Sequence, residues 1–264
     1  MASAPQQASL PLFYRDLVPL NRNEHGSWRS RQTDRAPWLV GQHAIPLTVE
    51  EFPMAQRNFP IVFSQGDEAV PLALMGLNEG VNVFIDEDGT LNTPVYMPAY
   101  ARRYPFLLAK LQPEADELSL CFDPNSDLVG AFDEGLPLFD GEDPSESCKG
   151  MLQFCEQFEI AGQKTGNFIA ELNKHGLLID GELTVQPEGA AQPFVYRGFR
   201  MVDEAKLREL RGDVLRTWQQ SGMLPLIHAH LFSLDLVRDV FGRQAERGLL
   251  PVPDIRIPEA QPGA

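Results

Sequence analysis

No stretch of the 264 residues is long and apolar enough to span a bilayer, and the opening MASAPQQASLPLFY lacks the basic and then apolar regions of a secretory signal. Both lacks point to a soluble chain, expected in the cytoplasm. Cysteine is scarce. Cys121, Cys148 and Cys155 are an odd number without zinc-site spacing, and they read as reduced, buried thiols. Positive charge is short as well: Lys and Arg number 22 against 37 Asp and Glu, a net charge of −15. From Leu111 to Ile160 thirteen acids face Lys149 alone, and no basic stripe exists elsewhere to displace the counterions of a nucleic acid. That acidic stretch reads as solvated surface. Catalytic signatures are missing too. Gly162-Gln163-Lys164-Thr165 lacks the glycines of a phosphate loop, Lys164-Thr165-Gly166 has no Ser-x-x-Lys partner, and neither a nucleophile elbow nor a dinucleotide fingerprint occurs. The enzyme question therefore stays open, with the balance towards a protein that is not an enzyme. No cofactor is implied beyond a divalent metal in one reading given below.

What is present divides the chain in two. Residues 1–12 are small and polar without periodicity and read as disordered. Phe13 to Trp38 is irregular, with Trp28 and Trp38 as hydrophobic pins. Residues 40–125 carry the strand signals: Ile61–Ser64, Val70–Leu77, Leu118–Phe122, and Val81–Ile85 running into the Asp86–Gly89 turn. That acidic turn lacks the glycine and glutamate register of a calcium loop.

Residues 145–247 read as mainly helical. One helix spans about Ser145 to His175, with an interruption near Gly162–Gly166. A second runs from an Asp203 cap to Gly222, and a third from a Ser233 cap through Phe241. Leu183–Val185 and Phe194–Met201 form a strand pair around Pro187–Gly189. A loose, proline-rich tail occupies residues 249–264. The expectation is an α+β fold in which an antiparallel, β-rich N-terminal half packs with a helical C-terminal half as one domain over residues 13–248.

Two constellations carry chemistry. The first is Tyr96-Met97-Pro98-Ala99-Tyr100-Ala101-Arg102-Arg103-Tyr104-Pro105-Phe106. Arg102 and Arg103 offer planar cationic forks that clamp a carboxylate or phosphate, with Tyr96, Tyr100 and Tyr104 as walls. The structural alternative is that one arginine forks with a carboxylate of the acidic stretch and fixes the loop to the core. The second is Gly222 followed by His228-Ala229-His230 and Asp235. On a strand the two histidines share a face and, with Asp235, resemble the first metal motif of cupins. Against this, no histidine follows His230, and the plainer role for His230 is packing or hydrogen bonding at a strand-to-helix junction.

The segment Tyr96–Phe106 resembles the signature of the bacterial SapC family. Phe59-Pro60-Ile61-Val62-Phe63, Gly76-Leu77, Asn82-Val83-Phe84, Asp88-Gly89 and Gly198–Glu204 follow in the family's order, and the likeness runs from Phe13 to Gly248. Phe59 stands where the family favours tyrosine, and Leu91 near a position of tryptophan. The resemblance implies association with surface-layer biogenesis by gene neighbourhood, and with outer-membrane receptors and flavin-dependent halogenase-like enzymes. It implies no defined activity. The expected function is accessory: recognition of a peptide, a protein or a small acidic ligand. The alternatives are a metal-dependent enzyme built on His228, His230 and Asp235, and an accessory subunit of a halogenase-like enzyme.

Overall fold

The computed structural model describes residues 10–112, 117–186 and 193–250. Three short strands, β1 (Ala44–Pro46), β2 (Ile61–Phe63) and β3 (Pro71–Leu74), form an antiparallel sheet in which β3 lies between the other two. Strands β4 (Phe106–Ala109) and β5 (Ser119–Phe122) pair into a hairpin that Val18–Pro19 extends to a three-stranded sheet. Helix α1 (Glu146–Lys174) packs on β4 and on the turn Val49–Glu51. After it, β6 (Leu178–Asp180) and β7 (Arg200–Val202) join the first sheet, giving the order β6-β7-β2-β3-β1. Helices α2 (Glu204–Glu209), α3 (Gly212–Ser221), α4 (Met223–Ser233) and α5 (Val237–Glu246) close the chain. The architecture is α+β, with a β-rich N-terminal half and a mainly helical C-terminal half.

The central strand β2 reads Ile-Val-Phe, with every residue fully buried. Continuous apolar sequence marks a strand covered on both faces. Ile61 and Phe63 join the main core with Phe52, Phe59 and Leu172, while Val62 faces Leu74, Phe199 and Leu234 on the other side. A separate apolar cluster, centred on Phe106, Phe122 and Leu138, lies between the β4–β5 hairpin and α1 and takes in Trp28.

The helical half is stitched to the sheet by buried polar side chains that bond backbone. His230 of α4 donates from Nδ1 to Ile61 O (2.7 Å) and accepts at Nε2 from Val202 N (3.1 Å). Strands β7 and β2 pair at Arg200 and Phe63, so continuing the register places Val202 opposite Ile61. The imidazole therefore fills the gap where the ladder splays. Ser233 Oγ accepts from Ile61 N (2.8 Å), and Gln244 Oε1 of α5 accepts from Leu77 N (3.0 Å). Thr165 of α1 does the same for Val49 N (3.0 Å). Each bond satisfies a backbone group that burial would otherwise leave unpaired.

Several expectations are corrected. Helix α1 runs without a break through Gly162 and Gly166. Those glycines cost about 1 kcal/mol each against alanine, and the buried Phe168, Ile169 and Leu172 on the same helix outweigh that. Val81–Ile85 forms no strand, only a bridge between Ile85 and Leu91, because Asn82 turns the chain and its amide bonds Leu39 O and Gln42 O. The turn after it is as expected. Gly89 has φ +84°, and an added Cβ would lie 2.6 Å from Pro37 N. The single helix expected from Asp203 is split, because Leu210 and Arg211 are extended. Ser233 ends a helix instead of starting one. Leu12, inside the segment expected to be disordered, packs on the core and its carbonyl accepts the Tyr100 hydroxyl (3.3 Å). The Pro187–Gly189 turn, residues 1–9 and residues 251–264 lie outside the described residues.

Candidate functional site

The metal constellation is not assembled. Residues 223–233 are helical, so the strand that would align His228 and His230 does not exist. Residues two apart on a helix point about 200° apart. His230 spends both ring nitrogens on backbone, and burial lowers its pKa to about 4, which keeps the ring neutral. His228 Nδ1 lies 2.9 Å from Leu224 O of its own helix, and Asp235 is exposed. Among the described residues no group of three or more His, Cys, Asp or Glu is placed to hold a metal ion.

The Tyr/Arg/Pro segment is built around a carboxylate that sequence reasoning missed. Thr48-Val49-Glu50-Glu51 forms a capping box, and Glu51 is 5% exposed. Its Oε2 accepts from Thr48 N (2.8 Å) and Thr48 Oγ1 (3.0 Å). Its Oε1 accepts from Ala99 N (2.6 Å) and the Tyr96 hydroxyl (3.1 Å). Glu51 thus anchors the start of the helical turn Ala99–Arg102 from outside it. The Thr-x-x-Glu spacing before an apolar run was the available signal.

The two arginines divide. Both leave this turn, and the helical offset, rather than an extended chain, sends them apart. Arg103 is 6% exposed, with its guanidinium 4.5 Å from the Tyr100 ring centroid and 4.2 Å from that of Phe158. Nη1 meets Glu159 of the acidic stretch at 3.5 Å, and Nε has no partner. This is a strut. Tyr100, buried and bonded to Leu12, belongs to the same packing.

Arg102 is exposed. Its Nε donates to Met97 O (3.1 Å) and Nη2 donates to Tyr96 Oη (3.3 Å). Its guanidinium lies 5.7 Å from the Tyr96 ring centroid and 5.2 Å from that of Phe154. Among the described residues no carboxylate pairs with it. Tyr96 links it to Glu51, and burial, then the Glu51 charge, raises the phenol pKa, so the hydroxyl remains a donor.

Arg102 lines a cleft of about 550 Å³. The floor is apolar, from Met97, Ala101, Phe106, Leu138 and Met151. Tyr104 and Trp38 form one wall, their ring centroids 4.9 Å apart, and burial pushes the Tyr104 phenol pKa up. Tyr104 Oη is 3.4 Å from Oδ2 of Asp123, a fully buried carboxylate that also accepts from Arg15 N and Asn125 N. The indole nitrogen of Trp38 is buried without an acceptor. Arg31 and Arg35 line the rim, with Asp34 as the acid beside them. Arg31 lies 3.6 Å from the Phe132 ring centroid, and Arg35 pairs with Asp88 at 3.3 Å. Ser147 and Cys148, in the first turn of α1, complete the lining, and that helix end adds partial positive charge. Burial raises the Cys148 pKa, which keeps the thiol protonated.

Of the five predicted ligand residues, Arg102 and Tyr104 line this cleft, Tyr96 holds Arg102, and Tyr100 and Arg103 brace the segment from behind. Trp38, Arg31 and Arg35 were not singled out as ligand residues. Single arginines and tryptophans in irregular sequence carry no spacing signal, and Trp38 reads equally well as a pin.

Among the described residues no helix is long and apolar enough to cross a membrane. No curated protein and no solved structure matches the chain. The family model described as SapC matches residues 20–240, a span that holds the capping box, the Tyr/Arg/Pro segment, the rim arginines and the first turn of α1. The chain therefore belongs to the SapC family.

Proposed function

We propose that this SapC-family protein is a binding protein, not a catalyst, and that its cleft captures a carboxylate-bearing ligand on Arg102. The observation that carries the reading is Arg102 itself: a residue of the cleft lining whose guanidinium is held by Met97 O and Tyr96 Oη, with no carboxylate at ion-pair distance among the described residues. Arg31, Arg35 and Arg102 face Asp34 in the lining and Asp88, which pairs with Arg35, so the cleft carries a small positive excess, opposite in sign to the chain's net charge of −15. Such a site draws anions despite the protein's overall repulsion, because a local field in a low-dielectric hollow outweighs screened distant charge. The tilted Trp38–Tyr104 pair and the methionines supply an apolar surface for the rest of the ligand. A role beside surface-layer, outer-membrane-receptor or halogenase-like partners is compatible with such capture and is part of the proposal.

Ligand-observed NMR with a fragment set of small carboxylates and their matching primary amides tests this. Carboxylates should be enriched among the hits, and Arg102→Met should erase the preference. Hits that ignore the carboxylate, or that survive Arg102→Met, would overturn the reading.

A further inference from the structure

A second cleft of about 590 Å³ adjoins the first, and the two share Thr33, Arg35, Trp38, Tyr104 and Leu128 as walls. The Trp38–Tyr104 pair is thus a surface that one occupant can touch from both clefts. Their chemistry differs. The first is apolar apart from its rim and carries Arg102. The second carries polar groups of both signs, with Arg15 and Arg35, Asp88 and Asp127, and the uncharged Asn125 and Ser126 in its lining. A polyanion fits the first and is opposed by the carboxylates of the second. A small acid fills only one of the two. An extended peptide fits both, because its main chain offers donors and acceptors at every residue while only its end bears the obligatory negative charge.

We infer that the occupant is the carboxy-terminal segment of a peptide or protein. Its terminal carboxylate sits on Arg102, and the preceding residues pass the Trp38–Tyr104 pair into the second cleft. This deepens the proposed function and rests on it. The strap Arg31–Arg35 borders both clefts and is tied down at its ends: Arg31 N donates to Leu128 O (2.8 Å), and Arg35 pairs with Asp88. Its fixed ends hold the rim in one place, which favours an occupant that adapts in conformation, as a chain does.

The test compares mixed-sequence octapeptides carrying free carboxy termini with the same mixture amidated, retained on immobilised protein. Retained peptides are then compared with their last residue alone as an N-acetyl amino acid. We expect retention only of the free-terminus set, at least tenfold tighter binding of the octapeptide than of the single residue, and loss of both by Arg102→Met. Val40→Trp fills the second cleft from an exposed position. It should remove the octapeptide's advantage and leave the N-acetyl amino acid unaffected. Equal affinity of octapeptide and single residue, equal retention of amidated peptides, or an octapeptide advantage untouched by Val40→Trp overturns the inference. If small carboxylates bind through Arg102 but no octapeptide is retained, the inference falls and the proposed function stands. If neither binds, both fall.

Discussion

Lowering the pH should destabilise the fold through His230, by an amount that follows from its geometry. The ring is fully buried between Ile61 O and Val202 N, and only the neutral tautomer both donates to the first and accepts from the second. Burial lowers its pKa from 6.5 to about 4. Between those values the unfolded chain binds a proton that the folded protein refuses, so stability falls as pH falls through that window. The full penalty, below pH 4, is about 3 kcal/mol. Between pH 7 and pH 5 it is about 2 kcal/mol. Other groups also contribute to the pH dependence of stability, so the comparison must be with a variant. Urea denaturation of wild type and His230→Gln at both pH values isolates the effect. The variant is less stable at pH 7, since glutamine fits the gap less well, and its loss on going to pH 5 is smaller than that of wild type by about 2 kcal/mol. Equal losses in the two proteins would refute the neutral wedge between β2 and β7.

Three further outcomes are expected. Arg103→Ala removes a buried stem from between Tyr100 and Phe158 and costs about 3 kcal/mol in urea denaturation, whereas Arg102→Ala stays within about 1 kcal/mol of wild type; equal effects would dissolve the division between strut and anchor. Glu51→Gln places an amide donor against N–H and O–H donors on one side or the other, and should cost about 3 kcal/mol by the same assay; a change below about 0.5 kcal/mol would show that Glu51 does not organise the segment. Gly89→Ala combines a positive φ with a Cβ that meets Pro37 N, and should lower thermal stability by at least about 2 kcal/mol; an unchanged melting temperature would mean that the turn does not dock there.

The legible parts of this fold were those with a local cause. Ile61–Phe63 announced a buried strand by unbroken apolar sequence, Asp88-Gly89 a turn by glycine's tolerance of positive φ, and Ser145–His175 a helix by the spacing of its apolar residues. The illegible parts were decided by partners distant in sequence. Gly162 and Gly166 weaken a helix locally, yet its register holds because Thr165 reaches Val49 and Phe168 packs on Phe52. His228 and His230 fit a strand motif until helical packing places His230 against Ile61, 169 residues away. At the cleft, the paired arginines were visible in the sequence, but which one faces a hollow depended on a single helical turn and on Glu51. Trp38 read as a pin and does pack on the core, but its place on the cleft wall was not legible, since the ring that packs beside it, Tyr104, is brought there only by the fold.

The central claim, that ligand carboxylates bind at the Arg102 cleft, is tested most directly by the indole ¹H–¹⁵N spectrum, in which the three tryptophans give three cross-peaks. Titration with a carboxylate fragment should move the Trp38 peak and leave those of Trp28 and Trp218 in place, and in Arg102→Met it should move none of the three. A Trp38 peak that stays still while the fragment binds, or that moves equally in Arg102→Met, would contradict it.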